Sequence, residues 1–113
     1  MSEETKVPTQ YILVRKDLPI HTQMVNVGHA GGESVRVAPI DKRTRIRLLW
    51  VENEEELKKF YDTMLEKGYP VDIVNEPDEP YNGAAMALGC GPMTERVSAL
   101  SKLLYHLKPV RFE

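Results

Sequence analysis

The sequence predicts an α/β domain: a mixed four-stranded sheet with helices on both faces, its elements running β–α–β–α–β–β–α. Three observations predict it. Tyr11-Ile-Leu-Val14 is an unbroken apolar, β-favouring run that stops in three charges, Arg15-Lys16-Asp17, as a strand buried on both faces does. Leu57, Phe60, Tyr61, Met64 and Leu65 recur with the spacing of an amphipathic helix. The apolar runs at 71–74 and 84–90 are joined by a loop with no crossover helix. Helical crossovers make parallel neighbours, so the last two strands are antiparallel neighbours or are connected around an edge.

Residues 1–9 are polar and read as a flexible terminus, with a single domain over 10–113. The first strand spans 10–16, and Pro19 forces a turn after it. Thr22 to about Val37 is a weak helix: Met24, Val27, Gly31 and Val35 keep helical spacing, whereas Gly28, Gly31 and Gly32 lower its propensity. Such glycines mark a helix pressed close to the sheet, or one broken at Gly31-Gly32. A phosphate loop is excluded, because no Lys-Ser or Lys-Thr follows. Residues 38–44 are a polar connector, and Arg45–Val51 is the second strand, more deeply covered in its second half. Asn53 and Glu56 form a capping-box pattern, with Glu54, Glu55 and Glu56 placed favourably at a helix start. Gly68 and Pro70 end that helix. Val71–Val74 is the third strand, and Ala84–Cys90 is a fourth whose small residues imply backbone pressed against it. Gly91-Pro92 closes the fourth strand. Thr94 is placed to cap a last helix with Val97, Leu100, Leu104 and Leu107 as its buried stripe.

A chain of 113 residues is one domain, able to bury about two-thirds of its unfolded surface. Its 42% apolar and 28% charged content is ordinary for a soluble globular protein. Cys90 is the only cysteine, so no internal disulfide forms, which fits a reducing, cytoplasmic setting. Residues 1–8 show no secretory pattern, and no run is long and apolar enough to span a membrane. The net charge of −2 argues against a dedicated nucleic-acid binder, but the charge is segregated. Lys42, Arg43, Arg45 and Arg47 cluster, Arg15-Lys16 form a second pair, and acids gather at 52–56 and 76–79. A phosphate backbone on the basic side and plain solvation of strand ends both account for this.

Four stretches resemble the type II peptidyl-tRNA hydrolases. They are the first strand with its exit, Tyr11-Ile-Leu-Val-Arg-Lys-Asp-Leu18; the helix signature Val27-Gly-His-Ala30; the 54–68 helix followed by Pro70-Val-Asp-Ile-Val74; and Gly83 through Gly91-Pro92 with a helix ending Tyr105-His-Leu-Lys108. The resemblance implies cleavage of the ester between a peptide and the terminal ribose of tRNA, without metal or cofactor, with tRNA as partner and a homodimer as the common assembly. The chain departs from the family where a Gly-Lys pair precedes the first helix: Thr22 lies nearest that place. Asn26 replaces a helical Gln, and the 76–83 loop lacks the family's Gly-x-Thr-Gln. Asn75-Glu-Pro-Asp78 resembles the loop of a divergent subgroup that also lacks the lysine.

Ester hydrolysis needs a base for water, donors for the developing oxyanion and a cationic grip on phosphate. Strand-end placement assigns His21 as base, Glu76 or Asp78 as its orienter if the third strand lies beside the first, and Thr22 and Asn26 as donors. Arg15, Lys16, Arg43 and Arg45 are assigned to tRNA phosphates, with Asp17 and His29 beside them in the substrate-binding set. Competing readings stand next to these. His29 suits a packed helix position, His106 a helix end, and the 76–79 acids a solvated loop. His21, His29 and Cys90 lack metal-ligand spacing, so no metal site is expected. Two functions follow: a divergent peptidyl-tRNA hydrolase, or a catalytically silent module of the same fold that binds tRNA or protein.

Overall fold

The computed structural model describes residues 7–35 and 43–111. Its elements are β1 (Thr9–Arg15), α1 (Ile20–Ser34), β2 (Arg45–Val51), α2 (Glu54–Glu66), β3 (Val71–Glu76), β4 (Ala84–Met93) and α3 (Val97–Leu104), the expected order. The sheet order is β2-β1-β4-β3; β1 and β2 are parallel, and β4 is antiparallel to both β1 and β3. It follows that β1, β2 and β3 point the same way, and their carboxyl ends share one edge of the sheet. The last two strands are antiparallel neighbours. Most of the expected flexible 1–9 segment lies outside the described residues, as does most of the 38–44 connector, but Thr9 already belongs to β1 and is buried.

Alternation along β1 divides the core. Tyr11 and Leu13 join Leu57 and Met64 of α2 and Leu100 and Leu104 of α3 on one face. Ile12 and Val14 join Ala30 of α1 on the other. Helices therefore cover both faces. Cys90 is fully buried on the α2–α3 side, and burial pushes its thiol up to about 12.

The α1 helix differs from its expected pattern. It begins at Ile20, directly after Pro19, and runs through Gly31-Gly32 without breaking. Its buried stripe is Gln23, Asn26, Ala30 and Ser34, whereas Met24, expected inward, is 57% exposed. The close approach to the sheet is made possible by the strand: a Cβ on Gly89 of β4 would run into the Ala30 carbonyl oxygen and lie 2.7 Å from Ser34 Cβ. Only small helix residues fit there. Polar partners make up for the missing apolar ones: Gln10 Nε2 of β1 donates to Ser34 Oγ and, at 3.1 Å, to the Gly31 carbonyl. The helix glycines are not needed for this contact, since a Cβ on Gly28 would meet nothing within 4 Å. Gly28→Ala is therefore expected to raise stability by about 0.5–1 kcal/mol, read as a higher urea midpoint at unchanged slope.

Other boundaries shift for local reasons. The fourth strand does not close at Gly91-Pro92: a bulge opposite Thr9–Tyr11, with Gly91 at φ +88°, carries it on to Met93. Thr94 does not cap α3; the N-cap is Arg96, in left-handed geometry without a side-chain cap. Leu65 is 51% exposed, which leaves Leu57 and Met64 as the buried residues of α2. Asn53 Oδ1 does accept from the Glu56 amide at 3.0 Å, while Glu56 Oε1 reaches the Glu52 amide at 2.8 Å. Gly68 ends the helix at φ +81° as expected.

Glu54 does more than favour the helix start. Its Oε2 accepts from the Ala85 amide of β4 at 2.8 Å and pairs with Lys58 at 3.3 Å. The Ala85 hydrogen bond first, and the Lys58 contacts after it, hold this carboxyl below its ordinary value of 4.5. The stabilisation is complete above that ordinary value and is lost as pH falls through the lowered one. Glu54→Gln is expected to lower stability by about 1 kcal/mol at pH 7, allowing for solvent screening, and by less near pH 3. Urea midpoints at the two pH values measure this.

Candidate functional site

The turn after β1 is fixed by a buried side chain. Gln23 Nε2 donates to the Leu18 carbonyl at 2.8 Å and the Lys16 carbonyl at 3.3 Å, and its Oε1 accepts from Trp50 Nε1 at 2.7 Å. One amide thus ties the 16–18 turn and β2 to the first turn of α1. Across the same edge of the sheet, β3 ends at Glu76 and a tight loop returns to β4. The Gly83 amide donates to the Glu76 carbonyl at 2.6 Å, and the Tyr81 and Asn82 amides donate to the Asp78 carbonyl at 3.0 and 3.1 Å. Asn82 at φ +48° and Gly83 at φ +91° occupy left-handed backbone that Asn and Gly tolerate. The Asp78 amide donates to Glu76 Oε2 at 3.2 Å.

Between these two pieces lies a cavity of about 270 Å³. All five residues expected to be catalytic line it: His21, Thr22 and Asn26 from α1, and Glu76 and Asp78 from the loop. Such a crevice, outside the carboxyl ends of the parallel strands, is where open α/β sheets hold ligands. His21 is exposed, Thr22 and Glu76 are half-buried, and Asn26 is only 4% exposed. Asn26 Nδ2 donates to the Thr22 carbonyl at 2.9 Å, which leaves one amide hydrogen for a ligand. Among the described residues no hydrogen bond joins His21 to Glu76 or Asp78, although all three line one cavity. Glu79 contributes a third carboxylate, and α1, which has no acidic residue in its first turn, presents its positive end at the same edge.

The expected substrate-binding residues are not brought together. Arg15 grips Asp17 through two 2.9 Å hydrogen bonds and donates to the Ala85 carbonyl at 3.0 Å, with its side chain only 13% exposed. The hydrogen bond to Asp17 raises the Arg15 pKa further above its ordinary value. Arg15 thereby fastens the end of β1 to the start of β4, with Asp17 holding its guanidinium. Arg43 and Arg45 lie at the amino end of β2, where Arg45 pairs with Thr9. Six strand residues separate that register from Arg15, about 20 Å. They do not join the cleft. His29 is exposed on α1 and outside the cavity, so the packed helix position does not hold for it. Lys16 lies instead over the Trp50 ring, 5.2 Å from its centroid.

Sequence reasoning missed Gln23, Val25 and Tyr81. Tyr81 and Val25 line the cavity, and Val25 with exposed Ile20 and Met24 gives the outer side of α1 an apolar stripe beside it. A helix whose apolar residues face outward offers no periodicity signal for its inner face, so Gln23 had none. Among the described residues no three His, Cys, Asp or Glu side chains gather as metal ligands. No helix there is long and apolar enough to cross a membrane.

The fold and the cavity together define an α/β protein with a mixed four-stranded sheet and a ligand-sized cleft at the carboxyl ends of its parallel strands. No family model matches the sequence, and no curated protein matches it either.

Proposed function

We propose that the chain is a divergent peptidyl-tRNA hydrolase of the type II kind, cleaving the ester between a peptide and the 3′-terminal ribose of tRNA without a metal. The observation that carries this reading is the meeting of His21, Thr22 and Asn26 with Glu76 and Asp78 around one cavity, from segments some fifty residues apart in sequence. Four stretches of family-like sequence support it. In this mechanism His21 takes a proton from water, and the hydroxide adds to the acyl carbon. Thr22 and the remaining Asn26 amide hydrogen donate to the oxyanion. Protonated His21 then returns its proton to the departing ribose oxygen, and Glu76 or Asp78 orients the imidazole across the cavity. Val25 offers an apolar wall to the peptide.

A second reading has its own support. Among the described residues the cleft is lined by three carboxylates and by no lysine or arginine, and Arg15 is already paired. A silent module of the same fold, holding tRNA elsewhere on its surface or holding a protein, fits that charge pattern. Incubation with peptidyl-tRNA at high protein concentration separates the two. Ester cleavage above the uncatalysed rate is the expected result; none above background removes the enzyme reading. A filter-binding salt titration then tests the module: tRNA affinity should fall steeply with salt, and no binding at low salt turns the partner into a protein.

A further inference from the structure

A second cavity of about 270 Å³ lies at the carboxyl end of β2, bounded by Lys16, Trp50, Glu52, Glu56, His106 and Lys108. Three backbone or side-chain ties hold its parts in place. The Lys16 amide donates to the Val51 carbonyl at 2.8 Å, the Trp50 amide donates to the Lys108 carbonyl at 2.9 Å, and the indole is oriented by its bond to Gln23. His106 is set by the rings beside it, 5.9 Å from Phe60 and 5.8 Å from Tyr105. One face of the indole carries the exposed Lys16 ammonium instead of core packing, and neither Lys16 nor Lys108 has an ion pair among the described residues.

An aromatic face flanked by two unpaired ammonium groups matches the chemistry of an unstacked nucleotide: the ring accepts a base, and the cations accept its phosphate. Glu56 Oε1 is already occupied by the Glu52 amide, but the remaining carboxylate oxygens accept hydrogen bonds. They favour a base with an exocyclic amino group, cytosine or adenine, over uracil. We propose that this cavity binds a single nucleotide of an unpaired RNA end, with a cytosine or adenine on Trp50 in place of the Lys16 chain and the phosphate between Lys16 and Lys108. This deepens the tRNA reading. The cavity opens on the same sheet edge as the His21 cleft, from β2 where that cleft is beside β3, three strand spacings or about 14 Å away. It supplies the cationic grip that the cleft itself lacks.

Trp50 is the only tryptophan, so its emission reports this cavity alone. The full chain is titrated at low salt with the single-stranded trinucleotides CCA and UUU and with free CMP. Saturable quenching by CCA, at least fivefold tighter than by UUU or CMP, is expected. A Lys16→Ala/Lys108→Ala double variant, which alters two exposed side chains and whose fold is checked by circular dichroism, should bind CCA at least tenfold more weakly. No saturable quenching at millimolar CCA, or equal affinity in the double variant, overturns the proposal. CMP binding as tightly as CCA overturns its strand-end part. Ester cleavage does not enter the readout. A chain that quenches without cleaving keeps this site and loses the hydrolase; one that cleaves without quenching loses this site alone.

Discussion

His21→Ala is expected to lower peptidyl-tRNA cleavage by about 10²–10⁴-fold, the range a positioned general base contributes. His21 is the only one of the chain's three histidines that lines the cavity. The same variant should keep its stability to within about 0.5 kcal/mol, because His21 is exposed and makes no hydrogen bond among the described residues. Single-turnover cleavage and a urea midpoint, measured on one preparation, separate the two effects. Unchanged cleavage removes His21 from the chemistry. A collapsed midpoint shows instead that the side chain holds the turn after β1, a task here assigned to Gln23.

Gly89→Ala carries the largest expected effect on stability. In most strands a glycine is a weak point that alanine improves. Gly89 is opposite Ile12 in the β1–β4 ladder, and α1 crosses directly above it. The new Cβ meets the Ala30 carbonyl oxygen and Ser34 Cβ, a backbone atom and a fully buried side chain, neither of which can swing away. The helix must lift, and lifting it stretches the Gln10 hydrogen bonds to Ser34 and Gly31. The expected loss is about 3 kcal/mol, a large part of the roughly 5–15 kcal/mol that holds a domain together. A loss below about 1 kcal/mol in urea unfolding contradicts this packing. Gly28→Ala on the exposed side of the same helix has the opposite expected sign, so the pair separates close packing from glycine's backbone entropy.

Some of this was readable in the chain and some was not, for physical reasons. The Tyr11–Val14 run can only be a strand covered on both faces, and the element order follows from it and from the α2 stripe. The cleft was readable because a β1 exit and a β3 exit in parallel strands must reach the same edge. The α1 interior was not readable. Its inward face carries Gln23, Asn26 and Ser34 because Gly89 draws the helix too near the sheet for large apolar side chains, and a hydrophobic-period reading turns such a helix around. The role of Arg15 was hidden for a different reason. A charge at a strand end looks solvated or ligand-binding until its partner is known, and here the partner, Asp17, is two residues away, with Ala85 completing the clasp. The position of Arg45 relative to Arg15 was not readable either, because the parallel register of β1 and β2, which places Arg45 opposite Thr9 at the far end, is set by pairing that the sequence does not specify.

The central claim is that the first turn of α1 and the 76–78 carboxylates work as one site. A double-mutant cycle tests it most directly: single-turnover cleavage of peptidyl-tRNA by the wild-type chain, His21→Ala, Glu76→Gln/Asp78→Asn, and all three changes combined. If the carboxylates act through His21, the combined variant is no slower than His21→Ala alone. Losses that simply multiply, or a wild-type chain that does not cleave, contradict the account.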